Sequence, residues 1–169
     1  MPKISVSLST TLALITMCCS ANAELQINFV EGAPKDRFQI ENASLCELSG
    51  GTLRLDLASS AGALVFDVSK SGAGVEVFQP FEIVLGRDVL VNEPSVVDGQ
   101  NFINFNIDTF APGERLIFTI DVDDTLGGRE ITVSGAEIAG ATISHLYEGT
   151  LTTTTFLADA SANLAMTSC

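Results

Sequence analysis

Carboxylate side chains concentrate at one point of the chain, in the sequence Asp121-Val122-Asp123-Asp124. Asp121 and Asp123 are two residues apart and therefore project from the same face of a β-strand, whereas Asp124 begins the following turn. Calcium prefers several carboxylate and carbonyl oxygens in a flexible geometry, and a junction between strand and loop supplies both. Together with Glu130 on the returning strand, these aspartates form a candidate calcium site.

The same cluster has a plainer interpretation, a solvated strand face that ends in an aspartate-rich turn. Its spacing does not match an EF-hand loop, because Leu126 occupies the position that requires glycine. The residues leave both interpretations open, and they indicate no cofactor other than calcium.

Residues for covalent or acid–base catalysis are scarce. The single histidine, His145, is in phase with Ile143 and Ala141 on a predicted strand, which favours a packed or strand-end side chain over a catalytic one. Neither a Gly-x-Ser-x-Gly nucleophile motif nor a phosphate-binding Gly-x-x-x-x-Gly-Lys-Ser/Thr loop is present. A carboxylate-dependent hydrolase is the enzymatic alternative, but the chain has no Trp and one Tyr to stack against sugar rings. We predict no enzymatic activity and no catalytic or cofactor-binding residue.

The N-terminus has the pattern of a secretory signal peptide. Lys3 provides a positive charge, an apolar stretch that includes residues 12–17 follows, and the small residues Ala21-Asn22-Ala23 end it. We therefore predict a signal peptide over residues 1–23, with cleavage near Ala23 and export to the periplasm or the extracellular space. No other apolar run approaches the length of a transmembrane helix.

Two cysteines, Cys46 and Cys169, remain after the predicted cleavage. An even number of cysteines in an oxidising compartment favours a disulfide between them, the alternative being two free thiols. Such a bond would tie down residues 158–169, which are small and polar and are predicted to form a C-terminal tail.

Alternation of apolar and polar residues predicts a single all-β domain over residues 24–157, because a period of two buries one face of a strand and exposes the other. Turn residues separate the runs, and closely spaced short strands favour a two-sheet antiparallel β-sandwich of immunoglobulin-like type, with a small β-barrel as the alternative. Further strands are predicted at residues 63–68, 75–78, 81–85, 141–147 and 150–156. The alternating apolar positions are Leu25, Ile27 and Phe29; Phe38 and Ile40; Leu53, Leu55 and Leu57; Ile103, Phe105 and Ile107; Leu116, Phe118, Ile120 and Val122; and Ile131 and Val133.

The net negative charge of the chain limits which molecules it can bind. The chain has 8 Lys and Arg against 21 Asp and Glu, a formal net charge of −13, with 46% hydrophobic residues. Nucleic acid is excluded as a partner because neutralising phosphates requires clustered basic residues. The remaining partners are a protein, a cell surface or a second copy of the chain.

Three strings of sequence resemble small secreted bacterial proteins identified as "aggregation factor core", after the core protein of a sponge cell-adhesion proteoglycan. The resemblance spans roughly residues 25–147. It implies an extracellular or periplasmic β-sandwich used in adhesion or assembly, in which calcium has a place, and it supplies no catalytic residues. The strings are Glu31-Gly32-Ala33-Pro34-Lys35-Asp36-Arg37-Phe38; Gly72-Ala73-Gly74-Val75-Glu76-Val77-Phe78-Gln79-Pro80-Phe81-Glu82; and Phe118-Thr119-Ile120-Asp121-Val122-Asp123-Asp124 continuing into residues 129–141.

Together these features predict a secreted structural or cell-adhesion module without catalytic activity. The alternative is an extracellular protein that binds calcium or carbohydrate, although the scarcity of aromatic residues counts against carbohydrate.

Overall fold

The computed structural model of the chain describes residues 23–70, 78–126 and 133–166. These ranges contain thirteen β-strands and one short 3-10 helix, at Arg87–Val89. The strands are β1 (Ala23–Val30), β2 (Asp36–Asn42), β3 (Leu48–Ser49), β4 (Thr52–Asp56), β5 (Val65–Phe66), β6 (Glu82–Leu85), β7 (Phe102–Asn106), β8 (Thr109–Phe110), β9 (Arg115–Ile120), β10 (Val122–Asp123), β11 (Thr142–Tyr147), β12 (Thr150–Thr155) and β13 (Ser161–Met166).

The larger sheet has five antiparallel strands in the order β13-β1-β2-β9-β6. Its inner face follows the predicted alternation, since Leu25, Ile27 and Phe29 of β1 are buried while the polar residues between them are exposed. Phe38 of β2 lies opposite Phe29 on one side and Phe118 on the other, with 5.0 Å between ring centroids in each pair. Successive strands thus contribute one row of rings to the core.

The second sheet has four antiparallel strands in the order β12-β11-β4-β7. Leu55 of β4 lies opposite Ile103 of β7 and Ile143 of β11, and all three side chains are buried. Phe105 of this sheet packs on Phe118 of the five-stranded sheet, with 5.1 Å between the ring centroids. The two inner faces therefore share one core, as in a β-sandwich.

The prediction of an all-β, two-sheet antiparallel sandwich is confirmed. Within the described residues each sheet is open, with β13 and β6 at the edges of one and β12 and β7 at the edges of the other, so the barrel alternative is not adopted. Two short ribbons, β5 with β10 and β3 with β8, complete the strand pairing.

Two segments differ from the sequence expectation. The apolar run from Leu116 to Val122 is not one strand: β9 ends at Ile120, and Val122 pairs instead with Phe66 in the β5–β10 ribbon. Much of the expected C-terminal tail forms β13, which pairs with residues 23–28 of β1 and buries Ala162 and Leu164. The domain therefore extends to Met166, because even small apolar side chains on alternate positions complete the core at a sheet edge.

Several predictions fall on residues outside the described ranges. They are residues 1–22 of the predicted signal peptide, the strand at 75–78 apart from its last residue, and Ile131. Cys46 is disulfide-bonded and packs against the core. Its expected partner, Cys169, is outside the described ranges, so that pairing stays a prediction.

No helix within 23–70, 78–126 and 133–166 combines the length and apolar character needed to cross a lipid bilayer.

Two glycines with the same backbone φ angle allow a test of close packing at the edge of the sandwich. Gly86, after β6, and Gly149, in the β11–β12 turn, both have φ +81°. A Cβ on Gly86 would collide with the backbone carbonyl of Arg115, whereas a Cβ on Gly149 would have no atom within 4 Å. We expect Gly149→Ala to cost about 1 kcal/mol and Gly86→Ala about 2–4 kcal/mol in the free energy of unfolding, measured by urea denaturation. Equal losses in the two variants would contradict this account.

Candidate functional site

Two aspartates face each other where the β5–β10 ribbon ends. Val122 lies opposite Phe66 in this ribbon, and one residue further along, the backbone N–H of Asp67 donates to the carbonyl oxygen of Asp121 at 3.1 Å. Phe66 and Val122 point into the core, where both are buried. Asp67, Asp121 and Asp123 therefore project from the opposite face of the ribbon.

That opposite face is also covered by protein. Asp67 is 1% exposed, Asp121 8% and Asp123 7%. Gln79 runs alongside, since its N–H donates to the carbonyl oxygen of Asp67 at 3.2 Å and its own carbonyl accepts from the N–H of Asp121 at 3.4 Å. Three carboxylates thus share a space with little access to water, where charge is costly.

A fourth carboxylate, Asp98, approaches from the loop before β7. Its Oδ1 accepts the backbone N–H groups of Val68 and Ser69 at 2.9 and 3.0 Å, which holds the loop against the end of β5. Asp98 also comes within hydrogen-bonding reach of the Asp67 side chain. Two carboxyl groups attract each other only when a proton or a cation lies between them.

Asp36, at the start of β2, is the fifth member and differs from the others. It is 2% exposed, and both of its carboxylate oxygens have donors. Oδ1 accepts the N–H of Gly32 at 3.1 Å, and Oδ2 accepts the N–H of Val122 at 3.2 Å. Asp36 therefore ties the loop before β2 to β10 and fixes the position of the aspartates on either side of Val122.

The electrostatics of this group favour neutral carboxyls in the absence of a counter-charge. Burial, with the nearby charges of Asp121 and Asp123, raises the pKa of Asp36 to about 7. Burial, with the charges of Asp123 and Asp67, raises the pKa of Asp121 to about 7. Burial, followed by the contact with Asp98 and the charge of Asp123, raises the pKa of Asp67 to about 6. Each aspartate thus makes the ionised form of its neighbours less favourable.

Hydrogen bonding leaves part of this group without donors. Three buried oxygen atoms accept no hydrogen bond. They are both carboxylate oxygens of Asp67 and Oδ2 of Asp121. Buried polar atoms are nearly always hydrogen-bonded in folded proteins. The group can satisfy these oxygens by taking up protons or by binding a cation.

The sequence-predicted calcium ligands are only partly brought together. Asp121 and Asp123 lie in the buried group, but Asp124 is partly exposed and its Oδ1 accepts the N–H of Leu126 at 3.1 Å within the turn. Glu130 is outside the described residues. Across the described part of the chain, no set of three or more His, Cys, Asp or Glu side chains is arranged to hold a metal ion in the present side-chain positions.

Asp36, Asp67 and Asp98 were not predicted as part of the site. A signal for Asp67 existed, an acid inside the apolar run 63–68 that was itself predicted to be a strand. Asp36 and Asp98 have no comparable local signal, because each is brought to the site by the pairing of distant segments.

His145 is a packed residue, as predicted. It is 6% exposed, its Nε2 lies 3.2 Å from the carbonyl oxygen of Gly50, and its ring lies parallel to Tyr147 with 6.1 Å between centroids. Burial lowers the pKa of His145, which favours the neutral ring with Nε2–H donating to Gly50.

Comparison with known proteins adds no relative: no protein-family model, no curated protein and no solved structure matches the chain.

The raised pKa values predict how charge in the buried group affects stability. The pKa of Asp67 is about 6 in the folded protein, against the ordinary 3.8, so the folded state binds more protons over that interval. The contribution of Asp67 to stability therefore falls as the pH rises through 6. We expect Asp67→Asn to increase the free energy of unfolding by about 1–3 kcal/mol at pH 8 in a chelating buffer, and to have little effect at pH 4.5.

Thermal denaturation at the two pH values measures this difference. Asp108→Asn, in the exposed turn between β7 and β8, is the control and should change stability little at either pH. An Asp67→Asn protein less stable than the parent at pH 8 would show that the charge is not the dominant cost.

Proposed function

We propose that the chain is an exported, non-catalytic β-sandwich module that acts in structure or adhesion through its four-stranded sheet. The observation that carries this proposal is the outer face of that sheet, where cross-strand partners are mostly uncharged polar residues. These partners are Thr142 with Thr155, Ser144 with Thr153, Thr52 with Asn106 and Arg54 with Asn104. We call these positions, with Leu146 and Leu151, the neutral face.

The side chains of the neutral face are held in place by one another. Thr52 Oγ1 donates to Asn106 Oδ1 at 3.2 Å. The Arg54 guanidinium pairs with Asp56 at 2.8 Å and lies 3.9 Å from the ring centre of Phe102. The charge of Arg54 is thereby balanced on the sheet itself.

In a chain of net charge −13, a face without unpaired carboxylates is the surface where two copies repel each other least. Acidic surfaces repel one another, so contact between two such molecules is most favourable where carboxylates are absent or paired. Leu146 and Leu151 lie directly opposite each other at one end of this face and are 49% and 63% exposed. They supply apolar area to a surface that is otherwise polar, a composition found at protein–protein interfaces.

The resemblance to secreted aggregation proteins favours the same conclusion.

Catalysis is not part of the proposal, since the single histidine is packed in the core against a backbone carbonyl. A carbohydrate site is less favoured, because Tyr147 already stacks on His145. Calcium binding is supported by a different observation, the buried carboxylates.

The adhesion proposal predicts clustering of beads that carry the purified mature protein. We expect Thr153→Glu to reduce clustering at least tenfold, because it places a charge on the neutral face, midway along its edge strand β12. Asn28→Glu adds the same charge at an exposed position of β1, on the other sheet, and should cluster like the parent protein. Light scattering of the bead suspensions measures the effect. Beads that stay dispersed, or two variants that behave alike, would contradict a role for the neutral face.

Export makes a separate prediction about the covalent structure. We expect the protein purified from the medium or periplasm of its host to begin at Glu24, and its intact mass to be lower by two hydrogen atoms than that of the reduced chain. Peptide mapping without reduction should join the peptides of Cys46 and Cys169. A retained N-terminus, or unlinked cysteine peptides, would contradict the corresponding part of the prediction.

A further inference from the structure

We propose that the buried aspartates at the end of the β5–β10 ribbon form a divalent-cation site selective for calcium, with Asp67 and Asp121 as its central ligands. Asp98 and Asp123 complete the carboxylate set, and Asp36 positions β10. This site is separate from the neutral face, and its ligands differ from the sequence-predicted set, since Asp124 is excluded and Asp67 is included.

The first argument is the state of Asp67. The side chain is 1% exposed, points into the carboxylate group, and accepts no hydrogen bond at either oxygen. A buried carboxylate without donors is strongly disfavoured in the ionised form, and proteins retain such groups mainly where a counter-charge binds. Oδ2 of Asp121 is also buried without a donor. Two facing carboxylates thus offer three unsatisfied oxygens to the same small space.

The second argument is the placement of these side chains by the backbone. Asp67 and Asp121 occupy opposite positions on adjacent antiparallel segments, as the 3.1 Å hydrogen bond between their backbones shows. Opposed side chains in such a pair have Cβ atoms about 4.5–5.5 Å apart. Like charges at that separation are unfavourable unless a cation lies between them. Asp123 is on the same face of β10, and Asp98 contacts Asp67 from the loop.

The chemistry of the oxygen atoms that would bind the ion favours calcium over magnesium. All the side chains in the group are carboxylates. Calcium accepts six to eight oxygens at variable angles, whereas magnesium requires a near-ideal octahedron of shorter bonds. The present side-chain positions do not form a three-ligand site, so binding requires rotation of at least one carboxylate. Calcium tolerates such an irregular site, and magnesium does not.

Asp36 has a positioning role in this proposal. Both of its oxygens already accept backbone N–H groups, and the donor to Oδ2 is the N–H of Val122, between Asp121 and Asp123. It therefore fixes the segment that carries two ligands and does not itself contact the ion.

Isothermal titration calorimetry of the mature protein with CaCl2 and with MgCl2 at pH 7.5 tests the site directly. We expect saturable calcium binding at one site, at least tenfold tighter than magnesium binding, together with an increase in melting temperature over the chelated protein. Asp67→Asn should weaken calcium binding at least tenfold and abolish the increase in melting temperature. Asp124→Asn should bind calcium like the parent, because Asp124 is engaged in its own turn.

The outcomes separate the alternatives. If Asp124→Asn abolishes binding and Asp67→Asn does not, the ligands are those of the exposed turn and the proposal is wrong. If the parent protein gives no heat with millimolar calcium but is stabilised by lowering the pH, the aspartates are satisfied by protons and the proposal is also wrong. Equal affinity for the two metals would overturn the selectivity. Bead clustering is measured separately, so failure of this site leaves the adhesion proposal standing.

Discussion

The contact between Phe118 of β9 and Phe105 of β7 is the interaction on which the remaining architecture depends. It joins the two sheets at the centre of the core, with 5.1 Å between ring centroids, and Phe38 extends the same cluster along the larger sheet. Burying each such ring contributes about 1.5–3 kcal/mol. Because Phe118 must face inward, the alternation along β9 also requires Leu116 and Ile120 to face inward.

The position of the carboxylate group follows from that alternation. Continued beyond Ile120, the same phase turns Val122 inward and Asp121 and Asp123 outward, yet the chain changes partner there, from β2 to β5. The change brings Asp67 opposite Asp121 and places both beneath the Gln79 and Asp98 segments. Net stability of a folded domain is only about 5–15 kcal/mol, so several buried ionised carboxylates would be a large cost, and protons or a counter-charge must reduce it.

Local pattern explains which parts of the fold were predictable from the sequence. Leu25, Ile27 and Phe29 alternate with polar residues and form β1, and the same rule located β2, β4, β7 and most of β9. It did not locate β13, where Ala162 and Leu164 lie among small residues whose burial depends on pairing with β1. Nor did it show that Asn42 is buried, donating from Nδ2 to the carbonyl oxygens of Cys46 and Phe110.

In the candidate site, too, some positions follow from neighbouring residues in the sequence and others only from the pairing of distant strands. Asp121 and Asp123 are neighbours in sequence, so their shared face could be predicted, but Asp67 reaches them only through the pairing of β5 with β10. The acidity of the chain consequently serves two different physical roles. On the surface it makes copies of the chain repel one another wherever carboxylates are unpaired, which is the basis of the role proposed for the neutral face. In the interior it places Asp67 against Asp121 with three buried oxygens that accept no hydrogen bond, an unfavourable arrangement that protons relieve and that, in our proposal, a calcium ion relieves.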